Sequence, residues 1–470
     1  MSVLPHAPRP TPRAKAAPIE ASPAAARARH AAGGLVLEAH PVPLADPLVL
    51  WEALPDEPAA FWRAPSGERF SGVGEALAIT AGGRSRFQSL ADQARELLAG
   101  LELPFEGSLR LIGGLAFDPE GGRSSLWQDF GPARFVLPRF TYLPGTREAR
   151  LVVVRRPDDD PGALEARVAH LREALETNAP VAPQGLWPAH IERLPRETWS
   201  HWIDRVQAAI GSGVVSKVVL ARESVLDLPV PLSARAILSR LAAEHQDCFC
   251  FGLRSARREG APQAAFVGAS PERLVRLDRR RVQVDALAGT AGVPGRGASS
   301  SALERAAEGL RTSLKDRAEH EYVVEAIRQA LTPLCPILEI AKVPEVRQLR
   351  HVLHLHTPIE GLLSRDAHLL EVAAALHPTP AVAGTPTEEA RAILGACEGR
   401  DRGWYAGPIG WFDAEGSGEL CVGLRSGLLR GRQAHLFAGA GVVSGSRADA
   451  EYEETRLKER ALCQALGVAP

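Results

Sequence analysis

The alternation of apolar and polar positions divides the chain into strands of period two and helices of period near 3.6. Residues 34–39, 109–117 and 149–154 read as strands, and 62–70 reads as a hairpin turning at Pro65-Ser66-Gly67. Leu90, Ala94, Leu97 and Leu98 form one stripe of a helix over 87–101, and a second helix covers 162–177. Pro180, Pro183 and Pro188 then make a connection without periodicity. A helix over 197–210, with Trp199, Trp202, Ile203, Val206 and Ile210 near one face, stops at Gly211-Ser212-Gly213. The strand 216–222 follows, with Lys217, Val219 and Ala221 on one side.

Two strands flank a proline-fixed turn at Pro271-Glu272, and a strand over 282–287 runs into Ala288-Gly289-Thr290. The Gly/Ser-rich segment 291–301 reads as a mobile loop, and one long helix is expected over 302–331. Residues 405–413 and 419–429 read as paired strands joined by an Asp-Ala-Glu-Gly-Ser-Gly turn. Between them and the helix lies 376–384, a loop whose direction is set by two prolines. The last strand, 438–443, is rich in glycine and alanine, which permits close approach to its backbone; a turn at 444–446 and a helix follow.

Composition narrows the class. The 470 residues carry 55 basic and 56 acidic side chains, a net charge of -1 that favours neither nucleic acid nor a membrane surface. No apolar run approaches the roughly 20 residues of a spanning helix, so a soluble cytoplasmic protein is expected. Residues 1–33, proline-, alanine- and arginine-rich, read as a disordered tail, with some likeness to an organelle transit peptide that the prolines oppose. Two further regions are expected, 34–190 and 191–470. The six cysteines are scattered without a CxxC pair, so structural thiols are expected, with Cys248 and Cys250 sharing one face of a strand.

Candidate chemistry gathers in the second half. Glu451, Glu454 and Lys458 share one face of the last helix, and Asp316 and Glu319 share a face of another. Carboxylates on two facing helices could hold a hard ion such as Mg2+, or each face could simply be solvated. Lys217 either marks the exposed end of its strand or aims into a site. Arg425, mid-strand among apolar neighbours, needs an anionic partner, either a substrate carboxylate or a structural salt bridge. Glu272 sits in a turn, where a carboxylate is ordinarily solvated. His354-Leu355-His356 lacks the third ligand that would make it a transition-metal site.

Taken together, KVVLAR (217–222), GASPERL (268–274), LAGT (287–290), KDRAEH (315–320), HLHTPIEG (354–361), LHPTPAVAG (376–384), GWYAGPIGWFD (403–413), VGLRSG (422–427) and the 438–458 stretch resemble the chorismate-utilising enzymes, and among them the isochorismate synthases. The resemblance spans about residues 195–465 and is less specific before 190. It implies an α+β fold of two antiparallel sheets packed face to face and flanked by helices, with the site in a cleft between them. It implies conversion of chorismate to isochorismate, with Lys217 as base and Glu272 as acid. The base calls for a lysine whose pKa is lowered by burial or nearby positive charge, and the acid for a raised pKa.

The same resemblance gives Mg2+ as cofactor, held by Glu319 and Glu454 with Asp316 and Glu451 as outer or alternate ligands. Arg425, Tyr405 and Lys458 would hold the substrate carboxylates, the enolpyruvyl one falling to the first two. Gly289, Thr290 and Gly439 would admit the substrate closely, and His354 matches a position near the ring. Lys217, Ala288 and Ala381 separate this chain from its ammonia-using and salicylate-forming cousins, so no glutamine amidotransferase subunit is expected and a monomer is. The run 291–297 is longer and richer in glycine than the family's usual turn. A salicylate synthase, or a non-catalytic binding subunit, are the alternatives.

Overall fold

The computed structural model describes residues 34–181, 185, 187–294 and 299–468. The expected tail at 1–33, Pro183 and positions 295–298 of the expected loop lie outside the described residues. Among the described residues, strands form two antiparallel sheets, one of twelve strands and one of ten. The larger runs from Val36–Val42 through Ala149–Arg155, Phe140–Pro144, Arg69–Val73 and Ala59–Arg63 to Phe249–Arg254. It continues through Ala264–Ser270, Ser426–Arg430, Gln433–Val442 and Lys217–Asp227 to the short Gly384–Thr385, with His190–Arg193 beside Lys217–Asp227.

The smaller sheet runs from Ile337–Ile340 through Val352–Leu362, Arg281–Gly292, Arg273–Asp278, Gly418–Val422, Pro408–Phe412 and Leu111–Leu115 to Ala133–Leu137 and Leu77–Thr80. Glu345–Gln348 also pairs with Val352–Leu362. Regions 34–190 and 191–470 therefore contribute strands to both sheets, joined at Trp62 opposite Phe251 and at Gly113 opposite Gly410. The fold is α+β, as the family resemblance implies.

The sheets pack on each other because strand alternation gives each a largely apolar inner face. Trp62, Phe70, Phe251, Phe266 and Phe437 of the larger sheet share one core with Leu274, Leu277, Val282 and Phe412 of the smaller. Phe70 meets Trp411 edge to face across the layers, ring centres 6.0 Å apart. The outer face of the larger sheet, with Phe61, Val153, Cys250 and Val267, is covered by Trp51, Leu171, Leu238 and Leu462 from helices. Cys248 and Cys250 both pack on that outer side, and all six cysteines are buried free thiols. No helix among the described residues is long and apolar enough to cross a membrane.

Most local expectations stand. The hairpin pairs Trp62 with Phe70, and helices occupy Arg86–Leu98, Pro161–Thr177 and Arg196–Gly211. Three require correction. The expected helix 302–331 is two, Ser300–Thr312 and Leu314–Leu331, because Ser313 leaves helical geometry and its hydroxyl accepts from the Asp316 amide at 3.2 Å, capping the second. The expected loop 291–301 is shorter, since Ala291 and Gly292 extend the preceding strand and Ser300 opens a helix. The run 419–429 is not one strand: Gly418–Val422 pairs with Pro408–Phe412 in the smaller sheet, whereas Ser426–Arg430 belongs to the larger.

Candidate active site

The chain passes between the sheets twice at neighbouring points. It leaves the larger sheet at Ser270, enters the smaller at Arg273, and returns between Val422 and Ser426. Glu272 lies on the first passage and Arg425 on the second. The Val422 amide donates to the Glu272 carbonyl at 3.0 Å, and the Ser270 hydroxyl donates to the Val422 carbonyl at 2.5 Å. The two passages are thus tied together, and their side chains share one cleft. Arg425 is not mid-strand, as its apolar neighbours suggest; its φ of 48° is left-handed and breaks the strand where the chain changes sheets.

Arg425 Nη2 donates to His354 Nε2 at 3.0 Å, and His354 Nδ1 donates to the Gly289 carbonyl at 2.9 Å. A carbonyl only accepts, so the proton is on Nδ1 and Nε2 is left to accept from the guanidinium. Burial, then the positive charges of Arg425 and Lys458, hold the imidazole well below its usual pKa, consistent with a neutral ring. Gly289 interrupts the register between its strand and Val352–Leu362 with φ at 71°. A Cβ there would stand 3.0 Å from Asp316 Cβ. The neighbouring Thr290 amide donates to Asp316 Oδ1 at 3.3 Å, fixing the bulge to the start of the Leu314–Leu331 helix.

Lys217 is the first residue of its strand yet fully buried, which rules out an exposed strand end. Its Nζ lies 3.0 Å from Glu319 Oε1. Burial alone would raise the Glu319 carboxyl, but the charges of Lys217, Lys458 and Lys315 prevail and hold it below the usual carboxylate range. Lys217 is buried with a carboxylate, not a cation, as its charged contact. Glu272, also buried, behaves oppositely. Desolvation dominates, Lys217 opposes it, Asp285 reinforces it, and the carboxyl is pushed up to about 8.

Lys458 reaches from the Ala448–Leu466 helix to the Gly439 carbonyl at 2.8 Å and to Glu454 Oε1 at 2.7 Å. Glu451, one turn earlier, is buried against Lys315 Nζ at 2.5 Å. Burial and the nearby Glu454 charge raise the Glu451 carboxyl, with Lys315 opposing them. Among the described residues no three His, Cys, Asp or Glu side chains converge as a ready metal cage. Mg2+ needs only one or two carboxylates plus water and ligand oxygens, so Glu319 and Glu454 suit it chemically; each carboxylate has a lysine at its Oε1. His354 and His356 engage Gly289 and Asp285 separately and share no third ligand.

Glu272, Gly289, Thr290, Glu319, His354, Ala381, Tyr405, Arg425, Gly439 and Lys458 all line this one cleft. Lys217 pairs with the lining residue Glu319, and Asp316 and Glu454 contact the lining residues Thr290 and Lys458, whereas Glu451 contacts Lys315, which is not among the lining residues. Tyr405 stacks on Phe437, ring centres 5.3 Å apart, and burial pushes its hydroxyl up to about 12, so it is a neutral donor. Sequence reasoning assigned no role to Lys315, Asp285 or Arg402. Lys315 stands within the quoted KDRAEH motif and could have been found there; nothing local marks the other two.

The chorismate binding enzyme model matches residues 21–467. The salicylate biosynthesis isochorismate synthase of Pseudomonas aeruginosa is 36% identical over 90% of this chain and 88% of its own length. The isochorismate synthase MenF of Bacillus subtilis is 35% identical over 76% of this chain and 74% of its own. Among solved structures, MenF, the menaquinone-specific isochorismate synthase of Escherichia coli, superposes with a TM-score of 0.73 at 28% identity, over 92% of this chain and 95% of that one. With a family match over residues 21–467 and relatives this similar along most of its length, the chain belongs to the chorismate binding enzyme family.

Proposed function

We propose that this chain converts chorismate to isochorismate. The observation that carries the reading is Glu272, a buried carboxyl pushed up to about 8, which holds its proton at neutral pH and can give it to a departing hydroxyl. For the reaction Lys217 must first give up the proton it shares in the pair with Glu319; its neutral Nζ then takes a proton from the water that adds at ring carbon 2. As the new C–O bond forms, the double bonds shift and the carbon 4 hydroxyl leaves with the proton of Glu272. One water enters and one departs, so the reaction is an isomerisation.

Arg425, held by His354, and the Tyr405 hydroxyl would bind the enolpyruvyl carboxylate, with Lys458 beside the ring carboxylate. Gly289, Thr290, Gly439 and Ala381 leave room for the ring. Bound Mg2+ would supply charge neutralisation at the ring carboxylate, with Glu319 and Glu454 holding it and Asp316 and Glu451 behind them. The enzyme acts without an amidotransferase subunit, and its product supplies menaquinone or a catechol siderophore.

Incubation of the purified chain with chorismate and Mg2+, followed by chromatography of the products, tests the reading. Isochorismate is expected as the main product, with loss of turnover on chelation. Salicylate and pyruvate as main products, or no turnover, would overturn it; turnover indifferent to chelator would remove the metal.

A further inference from the structure

One edge of the Lys217–Asp227 strand is covered by two short strands with a gap between them. Gly384–Thr385 pairs with Lys217 and Val218, and His190–Arg193 pairs with Ser224 onward. In the gap, side chains take the place of a partner strand. Arg402 Nη2 donates to the Val219 carbonyl at 2.7 Å, and Glu398 Oε1 accepts from the Ala221 amide at 2.8 Å. The pair is closed by Nε to Oε2 at 2.7 Å and Nη2 to Oε1 at 2.5 Å, and both side chains are buried. Arg402 Nη1 donates to the Val382 carbonyl at 2.9 Å, and the guanidinium lies 4.5 Å from the centre of the Phe117 ring.

We infer that Arg402 and Glu398 are positioning residues of the active site. They join the strand that carries Lys217 to the loop that carries Ala381, and so set the width of the cleft. Val219, Val382 and Arg402 all line that cleft, yet each nitrogen of the guanidinium is already engaged by Glu398, Val219 or Val382, so Arg402 acts through the backbone it holds. A planar fork is required: a lysine supplies the charge at one point and cannot span two carbonyls and a carboxylate. The catalytic part of the inference rests on the function proposed above; the structural part does not.

The test compares wild type, Arg402→Lys, Glu398→Gln and a control, Arg139→Lys, which disturbs the pair of the buried Arg139 with the half-buried Asp159, outside the cleft. Turnover of chorismate, thermal unfolding and hydrogen exchange across 217–222 are measured on each. Arg402→Lys is expected to lower kcat per folded molecule by roughly tenfold to a hundredfold, with a smaller change in KM, and to speed exchange of the Ala221 amide. Glu398→Gln, which keeps an acceptor for that amide, should fall less. Arg139→Lys should lose thermal stability and keep its kcat. The inference is overturned if Arg402→Lys keeps kcat per folded molecule as the control does, or if exchange at Ala221 is unchanged. A wild type that fails to turn over chorismate sinks the proposed function, while the exchange measurement still decides whether Arg402 holds the strand.

Discussion

Lys217 Nζ and Glu319 Oε1 lie 3.0 Å apart in front of a glycine, Gly441, whose absent side chain makes the pair possible. A Cβ at Gly441 would stand 2.3 Å from that carboxylate oxygen and 3.1 Å from Lys217 Cε. The obstructed atom is the end of a side chain, so the fold can absorb Gly441→Ala by moving Glu319, at about 1 kcal/mol of stability. The carboxylate would then leave its position, and kcat should fall roughly tenfold or more. Steady-state kinetics beside a thermal melt separate the two effects; a variant with unchanged kcat would show that the placement of Glu319 is immaterial.

Removing the lysine tests the base directly. Lys217→Gln keeps a polar group of similar length but cannot take a proton from water, so kcat should drop by about a hundredfold to ten-thousandfold. The substitution also strips Glu319 of its nearest counter-charge, so the Glu319 carboxyl should move upward from its depressed position. Full activity in the variant would rule Lys217 out as the base.

Glu272 makes pH the sharpest probe. Its carboxyl sits near 8 in the folded chain against 4.5 ordinarily, so it is protonated at neutral pH and ionises above. Activity that depends on its proton should decline as pH rises through about 8. For stability, the folded state binds this proton more tightly than the unfolded chain. Its contribution is therefore fully present below about pH 4.5 and is lost as pH rises through about 8. Glu272→Gln removes that slope, so the variant should gain on wild type by a few kcal/mol between those limits, read from denaturant unfolding at several pH values. Parallel stability curves for the two proteins would contradict the raised pKa.

Much of this site was legible because its parts are local. Helical spacing alone puts Glu451, Glu454 and Lys458 on one face, and Gly439 and Gly441 mark a backbone that other groups approach closely. What was hidden depends on contacts distant in sequence. The passages at Glu272 and Arg425 look like an ordinary turn and an ordinary strand, since neither carries a signal for a change of sheet. Ser313 is one serine in a helical pattern, and its capping role emerges only once the Asp316 amide is seen to need it. Arg402 and Glu398 have a recognisable four-residue spacing, but the carbonyl and amide they satisfy belong to Val219 and Ala221, nearly two hundred residues earlier.

His354 provides the last prediction. It connects Gly289 to Arg425 by two hydrogen bonds, one at each ring nitrogen. His354→Phe fills similar volume and removes both, leaving a half-buried guanidinium without this acceptor and the Gly289 bulge without its donor. A hydrogen bond to a charged group contributes about 1.5–3 kcal/mol, or roughly a tenfold to a hundredfold change in affinity. Because Arg425 would bind a carboxylate remote from the reacting carbons, the loss should fall mainly on KM for chorismate. Lys217 and Glu272 keep their own surroundings, so kcat should change less. Should kcat collapse with KM intact, His354 takes part in the chemistry itself and is not merely the support of Arg425.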